Sequence, residues 1–214
     1  MWEKEYKKKK FYWGLKPDED SKKVVKYASR GNALDIGAGE GRNSIFLAKQ
    51  GFKVLAIDKI PEGLKKLKRY ATLHNLDNII TKVVDIKNFR FQPNKYSLII
   101  AIAVLDFFKK SEIESLAEKI KKALIKNGII YLKVFSIKDP FLNKIKKINL
   151  EPIEENTFYL PKARIYRHFF TKEELKKMFS EFEIIQLKER KIRDYSHGQP
   201  HFHQVITFVA KNKK

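Results

Sequence analysis

The chain has 214 residues, 43% apolar and 13% aromatic, with 9 Gly and 7 Pro; this is enough for one full-sized domain, 1–214, and excludes a disordered, collagenous or low-complexity protein. Its longest apolar run, Leu98 to Leu105, falls short of the ~20 residues a membrane-spanning helix needs, and no secretory leader is visible. No cysteine is present and the net charge is +21, so thiolate metal sites and disulfides are excluded, a cytoplasmic address is expected, and polyanions become candidate partners.

In chain order, residues 18–30 read as a helix with Val24, Val25, Tyr27 and Ala28 apolar. Asn32 to Ile36 is a short strand ending in a glycine cluster, followed by a helix from Arg42 to Gln50 that Gly51 closes. A second strand spans Phe52 to Ile57, and Pro61 opens a helix to about His74. Asn78 to Val84 is the third strand. Tyr96 to Val104 is so apolar that it belongs in the middle of a sheet, covered on both faces. Ser111 to Glu114 has capping-box spacing, starting a helix that ends near Asn127-Gly128, and a fifth strand follows to Phe135.

Residues 136–170 break the alternation with three X-Pro pairs and many aromatic and basic residues, which marks them as a substrate-side insertion rather than a spacer. A second capping box, Thr171 to Glu174, opens a helix to about Ser180. The last strands, Phe182 to Lys188 and His203 to Ala210, have no helix between them, so the last must be antiparallel. The sum is an α/β fold: a doubly wound, seven-stranded, mostly parallel sheet with an antiparallel last strand.

The turn Gly37-Ala38-Gly39-Glu40-Gly41 joins the first strand to its helix, at the sheet edge where such folds bind ligands. A dinucleotide fingerprint needs its third glycine at position 42, which is Arg. Asp58, ending the second strand, is placed to accept from a ribose diol, although it could equally cap the next helix. Asp85 ends the third strand at the same edge. Acids gathered there as Asp35, Asp58 and Asp85 repel one another, and a ligand carrying amino and hydroxyl donors would relieve that.

These residues, LDIGAGEGRNS, AID, VVDI and the Leu105-Asp106-Phe107-Phe108 run after the fourth strand, resemble the class I S-adenosylmethionine-dependent methyltransferases. The run GRNSIFLAKQGFKVLAIDK is specifically similar to the tellurite-resistance methyltransferase group. The resemblance implies S-adenosylmethionine as cofactor. It puts Gly37, Ala38 and Gly39 under the methionyl part with Asp35 in support, and Arg42 and Asn43 facing the methionine tail. Asp58 would take the ribose hydroxyls, Asp85 and the Ile86 amide would read the adenine, and Lys59 and Ala101 would also contact the cofactor. Ala38 and Glu40 depart from the group's frequent Cys and Asn, which bears on the acceptor and not on the cofactor. Residues 1–31 would form a cover segment in which Tyr12 and Trp13 shield the sulfonium and acceptor, or in which Trp13 only anchors the segment.

Three of the five histidines lie between Arg193 and His203. Zinc is one reading of this cluster, but it lacks a fourth ligand, and no metal is expected. The preferred reading makes His197, His201 and Arg193 catalytic, as base or anion-orienting groups, with His203 facing the substrate. The expected acceptor is a small molecule or a metalloid oxyanion. An RNA-directed enzyme or a basic nucleic-acid-binding module on the same fold is the alternative. Of the 46 basic residues 38 are Lys, spread along the chain, and with 24 Ile this composition also fits a solvated surface of thermophilic type.

Overall fold

The structure, a computed structural model, describes residues 2–7, 11–194 and 199–214. Five parallel strands come first: β1 (Asn32–Ile36), β2 (Lys53–Asp58), β3 (Ile79–Val83), β4 (Tyr96–Ile102) and β5 (Leu124–Phe135). A hairpin, β6 (Thr157–Leu160) with β7 (Ile165–His168), stands apart from the sheet, which β8 (Phe182–Asp194) and β9 (His201–Asn212) complete. The seven-stranded order is β3-β2-β1-β4-β5-β9-β8, with β9 antiparallel to both its neighbours. This is the Rossmann-like methyltransferase fold, with the expected antiparallel last strand.

The β4 residues Tyr96 to Ala101 are all buried, because helices cover both faces of the sheet. On one face Leu34, Ile99 and Ile130 pack with Ile113, Leu116 and Ile120 of the helix Lys110–Ala123. On the other, Ala33, Leu98 and Tyr131 pack with Leu47 of the helix Arg42–Lys49 and with Val24 and Val25. The chain reverses between β1 and β4, which opens a crevice at the carboxyl edge.

Several expected boundaries move. The helix expected over 18–30 shrinks to Ser21–Val24, and at its N-terminal end Asp18 and Asp20 point into the sheet. There Lys133 Nζ donates to Asp18 Oδ2 at 2.5 Å and lies 3.2 Å from Asp20 Oδ2, while Arg190 donates to Asp20 at 2.6 Å. Burial alone would raise the pKa of Asp18; the Lys133 charge and the hydrogen bonds from Lys133 and Tyr131 outweigh it and hold it below the usual range. The helix expected from Ser111 begins with Lys109 as its N-cap, whose amide donates to Glu112 at 3.0 Å, while Ser111 donates to Glu154. That helix stops at Ala123 rather than at Asn127-Gly128, because fully buried Leu124 already pairs with Tyr96 in the sheet. The Thr171 capping box forms as expected, with Glu174 N donating to Thr171 Oγ1 at 2.9 Å.

Residues 136–170 fold into a helix, Pro140–Lys147, and the β6–β7 hairpin, around buried Leu142, Ile145, Phe158 and Phe169. The segment leaves and returns at one point, where Phe170 N donates to Phe135 O at 2.8 Å and Ile137 N to Phe170 O at 3.0 Å. It therefore overhangs the carboxyl end of β5. His168 is fully buried there between Thr157 and Glu174, a structural histidine.

Candidate active site

A cavity of about 1120 Å³ occupies the carboxyl edge, walled by the glycine turn, the ends of β2 and β4, the N-terminal segment, the hairpin and β8–β9. Gly37 stands at φ 68°, in the left-handed region, and a Cβ there would lie 2.6 Å from Val104 Cγ2. The turn is held down by Gly37 N and Ala38 N donating to Ile57 O at 2.9 and 3.0 Å. A glycine not singled out in the sequence matters as much: a Cβ on Gly63 would meet the Gly39 carbonyl oxygen at 2.5 Å. Only glycine lets the helix Pro61–Leu73 approach the turn this closely.

The Asp58 carboxylate accepts from Gly39 N at 2.8 Å with Oδ2 and from Ile60 N at 2.8 Å with Oδ1. Both sequence readings of Asp58 thus coexist: it ties the next helix and lines the cavity, and each oxygen has a second lone pair. Burial raises its pKa, with the two amides opposing. Asp85, Ile86 and Lys59 line the same wall, as do Gly37, Ala38, Gly39, Arg42 and Asn43.

Two residues expected at the cofactor do not line the cavity. Asp35 lies beneath the turn, where Ser44 Oγ donates to it at 2.6 Å; burial, with the Asp58 charge adding, lifts its pKa to about 7. Ala101 belongs to the core under the helix Lys110–Ala123. The wall beside it is built from Ile102, Ala103 and Val104, where the chain has left the strand.

Tyr12 and Trp13 line the cavity, and the group that holds them is Glu40. Its carboxylate is buried at 2% exposure and accepts from Tyr12 N at 2.6 Å, Trp13 N at 3.4 Å and Lys66 Nζ at 2.6 Å. The Arg42 guanidinium lies 5.7 Å from the Trp13 ring, and Asn43 Oδ1 accepts from Asp18 N at 2.9 Å.

The opposite wall carries a residue with no motif around it. Arg167 of β7 lies between the rings of Phe107 (4.4 Å) and Phe135 (4.9 Å). Its Nε and Nη1 are buried without a partner among the described residues, as is Asp106 Oδ2. Asp106 Oδ1 accepts from Phe135 N at 2.6 Å, and burial raises the Asp106 pKa to about 6 against the pull of Arg167. Burial lowers that of Arg167. Arg167 lines the cavity, and a desolvated guanidinium suits an anionic group.

Arg193 and His203 also line the cavity, whereas His201 stands just behind His203. The two imidazole Nε2 atoms are 3.0 Å apart, His203 Nδ1 meets Asp139 Oδ2 at 2.9 Å, and the His203 ring packs 4.7 Å from Phe135. His197 lies outside the described residues.

Fold and crevice together define a class I methyltransferase architecture. Residues 1–139 match the family described as tellurite resistance protein TehB, and the chain belongs to that family. A probable S-adenosyl-L-methionine-dependent methyltransferase TehB of Haemophilus influenzae is 30% identical over 99 residues, 46% of this chain and 34% of its own. A 2-heptyl-1-hydroxyquinolin-4(1H)-one methyltransferase of Mycobacteroides abscessus is 29% identical over 90 residues, 41% of this chain and 40% of its own. The chain thus spans about two fifths or less of these curated relatives. Among solved structures, TehB from Haemophilus influenzae superposes with a TM-score of 0.72 at 22% identity, covering 92% of this chain and 62% of that one. A Burkholderia thailandensis 1,6-didemethyltoxoflavin-N1-methyltransferase, solved with S-adenosylhomocysteine, gives 0.64 at 18%, covering 91% and 76%.

Proposed function

We propose that the protein is an S-adenosylmethionine-dependent methyltransferase acting on a small anionic acceptor, a metalloid oxyanion or an organic acid among them. One observation carries this: a single cavity joins the glycine turn and the Asp58 and Asp85 carboxylates on one side to the Arg167 guanidinium on the other. The residues fit the cofactor. The turn's backbone is open, Asp58 and Asp85 offer acceptors to hydroxyl and amino groups, and Asp35 braces the turn from below through Ser44. When bound, the cofactor supplies a methyl group already activated on a sulfonium.

The protein's own task is therefore positioning. Holding two reactants in near-attack geometry contributes ~7–11 kcal/mol toward a barrier. In this reading Tyr12 and Trp13, tied down by Glu40, cover the site and exclude water, and residues 136–170 deliver Arg167 to the acceptor. Arg193 and the histidine cluster either take a proton from the acceptor or orient its charge. The whole of 1–214 acts as one domain, and a cysteine-free chain suits a cytoplasmic place.

A nucleic-acid acceptor is disfavoured by the charge map. Eight Lys and Arg line the cavity beside seven Asp and Glu, so the excess of +21 is spread elsewhere on the surface. The test is transfer of labelled methyl to a panel of oxyanions, hydroxylated aromatics, thiols and RNA. Label in a small anionic acceptor supports the reading, and label in RNA alone overturns it.

A further inference from the structure

We propose that His201, His203 and Asp194 form a binding site for one divalent transition-metal ion of the imidazole-preferring kind, at the acceptor wall of the cavity. The inference rests on the proposed function only for the ion's role, not for its existence.

The register builds the site. In the β8–β9 ladder Asp194 pairs with His201 and Ile192 with His203, so Asp194, His201 and His203 share one face of the hairpin. One ligand atom from each of the three lies within 4.8 Å of the others. His203 Nε2 is 3.0 Å from His201 Nε2 and 3.9 Å from Asp194 Oδ2.

Tautomers supply the decisive argument. His201 Nδ1 lies 2.9 Å from the Gln199 carbonyl, which can only accept, so this nitrogen carries its proton and donates. His203 Nδ1 likewise donates to the Asp139 carboxylate at 2.9 Å. In the neutral rings both Nε2 atoms are then acceptors that meet at 3.0 Å, and a cation between them, a proton or a metal ion, makes that contact favourable.

The spacing admits either cation, since 3.0 Å is a hydrogen-bond length as well as the separation of two ligands on one ion. Two imidazole nitrogens each ~2.0–2.1 Å from one ion, at angles between octahedral and tetrahedral, are ~2.9–3.4 Å apart. Asp194 Oδ2, 3.9 Å from His203 Nε2, comes within reach as a third ligand by a small rotation. Both rings also have the outer support typical of metal ligands, a carboxylate for His203 and a backbone carbonyl for His201. Asp139 is itself fixed: its Oδ1 accepts from Phe141 N at 2.8 Å, capping the helix Pro140–Lys147, while Oδ2 also accepts from Gln204 N at 2.8 Å. The β8–β9 register supplies in Asp194 a ligand that the histidine spacing alone does not show.

An ion here would take an acceptor oxygen or sulfur into an open position beside Arg193. The test is titration of the chelator-stripped full chain with Zn²⁺ by calorimetry, without cofactor or acceptor, and with Co²⁺ to read ligand-field bands. We expect one ion per chain in the wild type and a loss of at least about 100-fold in affinity for His201→Gln and Asp194→Asn. Asp139→Asn keeps the helix cap and should weaken binding by about 10–100-fold. His74→Gln, at the far end of the helix Pro61–Leu73, should change nothing. Thermal melts of each variant separate lost binding from lost folding, and His201→Gln carries the test where another variant unfolds. Wild-type affinity no better than that of His201→Gln means the nitrogens share a proton only, which overturns the metal site and leaves the methyltransferase reading intact.

Discussion

The Tyr12 amide donates to the buried Glu40 carboxylate at 2.6 Å, so a residue of the glycine turn ties the aromatic N-terminal segment, the proposed cover, to the wall of the cavity. The same carboxylate neutralises Lys66, whose side chain is 19% exposed against 1% for Glu40. Glu40→Ala removes three hydrogen bonds, one of them the ion pair with Lys66, at a cost of about 2–4 kcal/mol. The chain's two tryptophans, Trp2 and Trp13, sit 5.4 Å apart in this cover, so intrinsic fluorescence follows it directly. The expected result is a red-shifted emission and at least tenfold weaker cofactor binding. Unchanged emission would show that the cover is held by its ring contacts instead.

Asp58→Ala should weaken S-adenosylmethionine and its demethylated product by a similar factor, ~1–3 kcal/mol in each case. Asp58→Asn keeps one acceptor for the Gly39 or Ile60 amide and should fall between. Calorimetry with both ligands checks this. Equal affinity in wild type and Ala variant would remove Asp58 from the ligand and leave it a backbone clamp.

Arg167→Met keeps the stem between Phe107 and Phe135 but removes the charge. Turnover of an anionic acceptor should fall by ~10²–10³-fold with cofactor affinity within about twofold of wild type. Arg167→Lys restores charge without the planar fork and should recover only part. Steady-state kinetics beside cofactor titration separate the two effects. A matching loss of cofactor affinity would make Arg167 structural.

Two buried acids set a pH dependence of stability. Asp35, at about 7, and Asp106, at about 6, are raised by burial above their unfolded value of ~3.9. The folded state binds their protons more tightly, so their stabilisation is complete below pH ~4 and is lost as pH rises through 6 and 7. Each group in its titration window contributes a slope of roughly 1.4 kcal/mol per pH unit. Only Asp35 acts between pH 6 and 7, so Asp35→Asn should flatten the urea-unfolding curve there while Asp106→Asn flattens it below 6. Asp18, held low by Lys133, acts in the opposite sense only in more acidic solution. A stability that climbs from pH 5 to 7 in the wild type would contradict the assignment.

What the sequence determined by itself is local in origin. Strand and helix alternation, the glycine turn, the strand-end acids Asp58 and Asp85 and the antiparallel last strand all follow from patterns a few residues long. Such patterns reflect burial, backbone freedom and connection length. The tertiary structure decided everything that depends on long-range pairing. Glu40 reaches Tyr12 across 28 positions, Asp139 reaches His203 across 64, and Lys133 draws Asp18 out of its helix across 115. Arg167 has no motif at all, and Asp106 stands in a local run that does not show its partner, since both are brought together by a hairpin folding back over the end of β5. Asp194 becomes a partner of His201 only through the β8–β9 register. A buried charge is recognised by what surrounds it, and its surroundings come from parts of the chain that are distant in sequence.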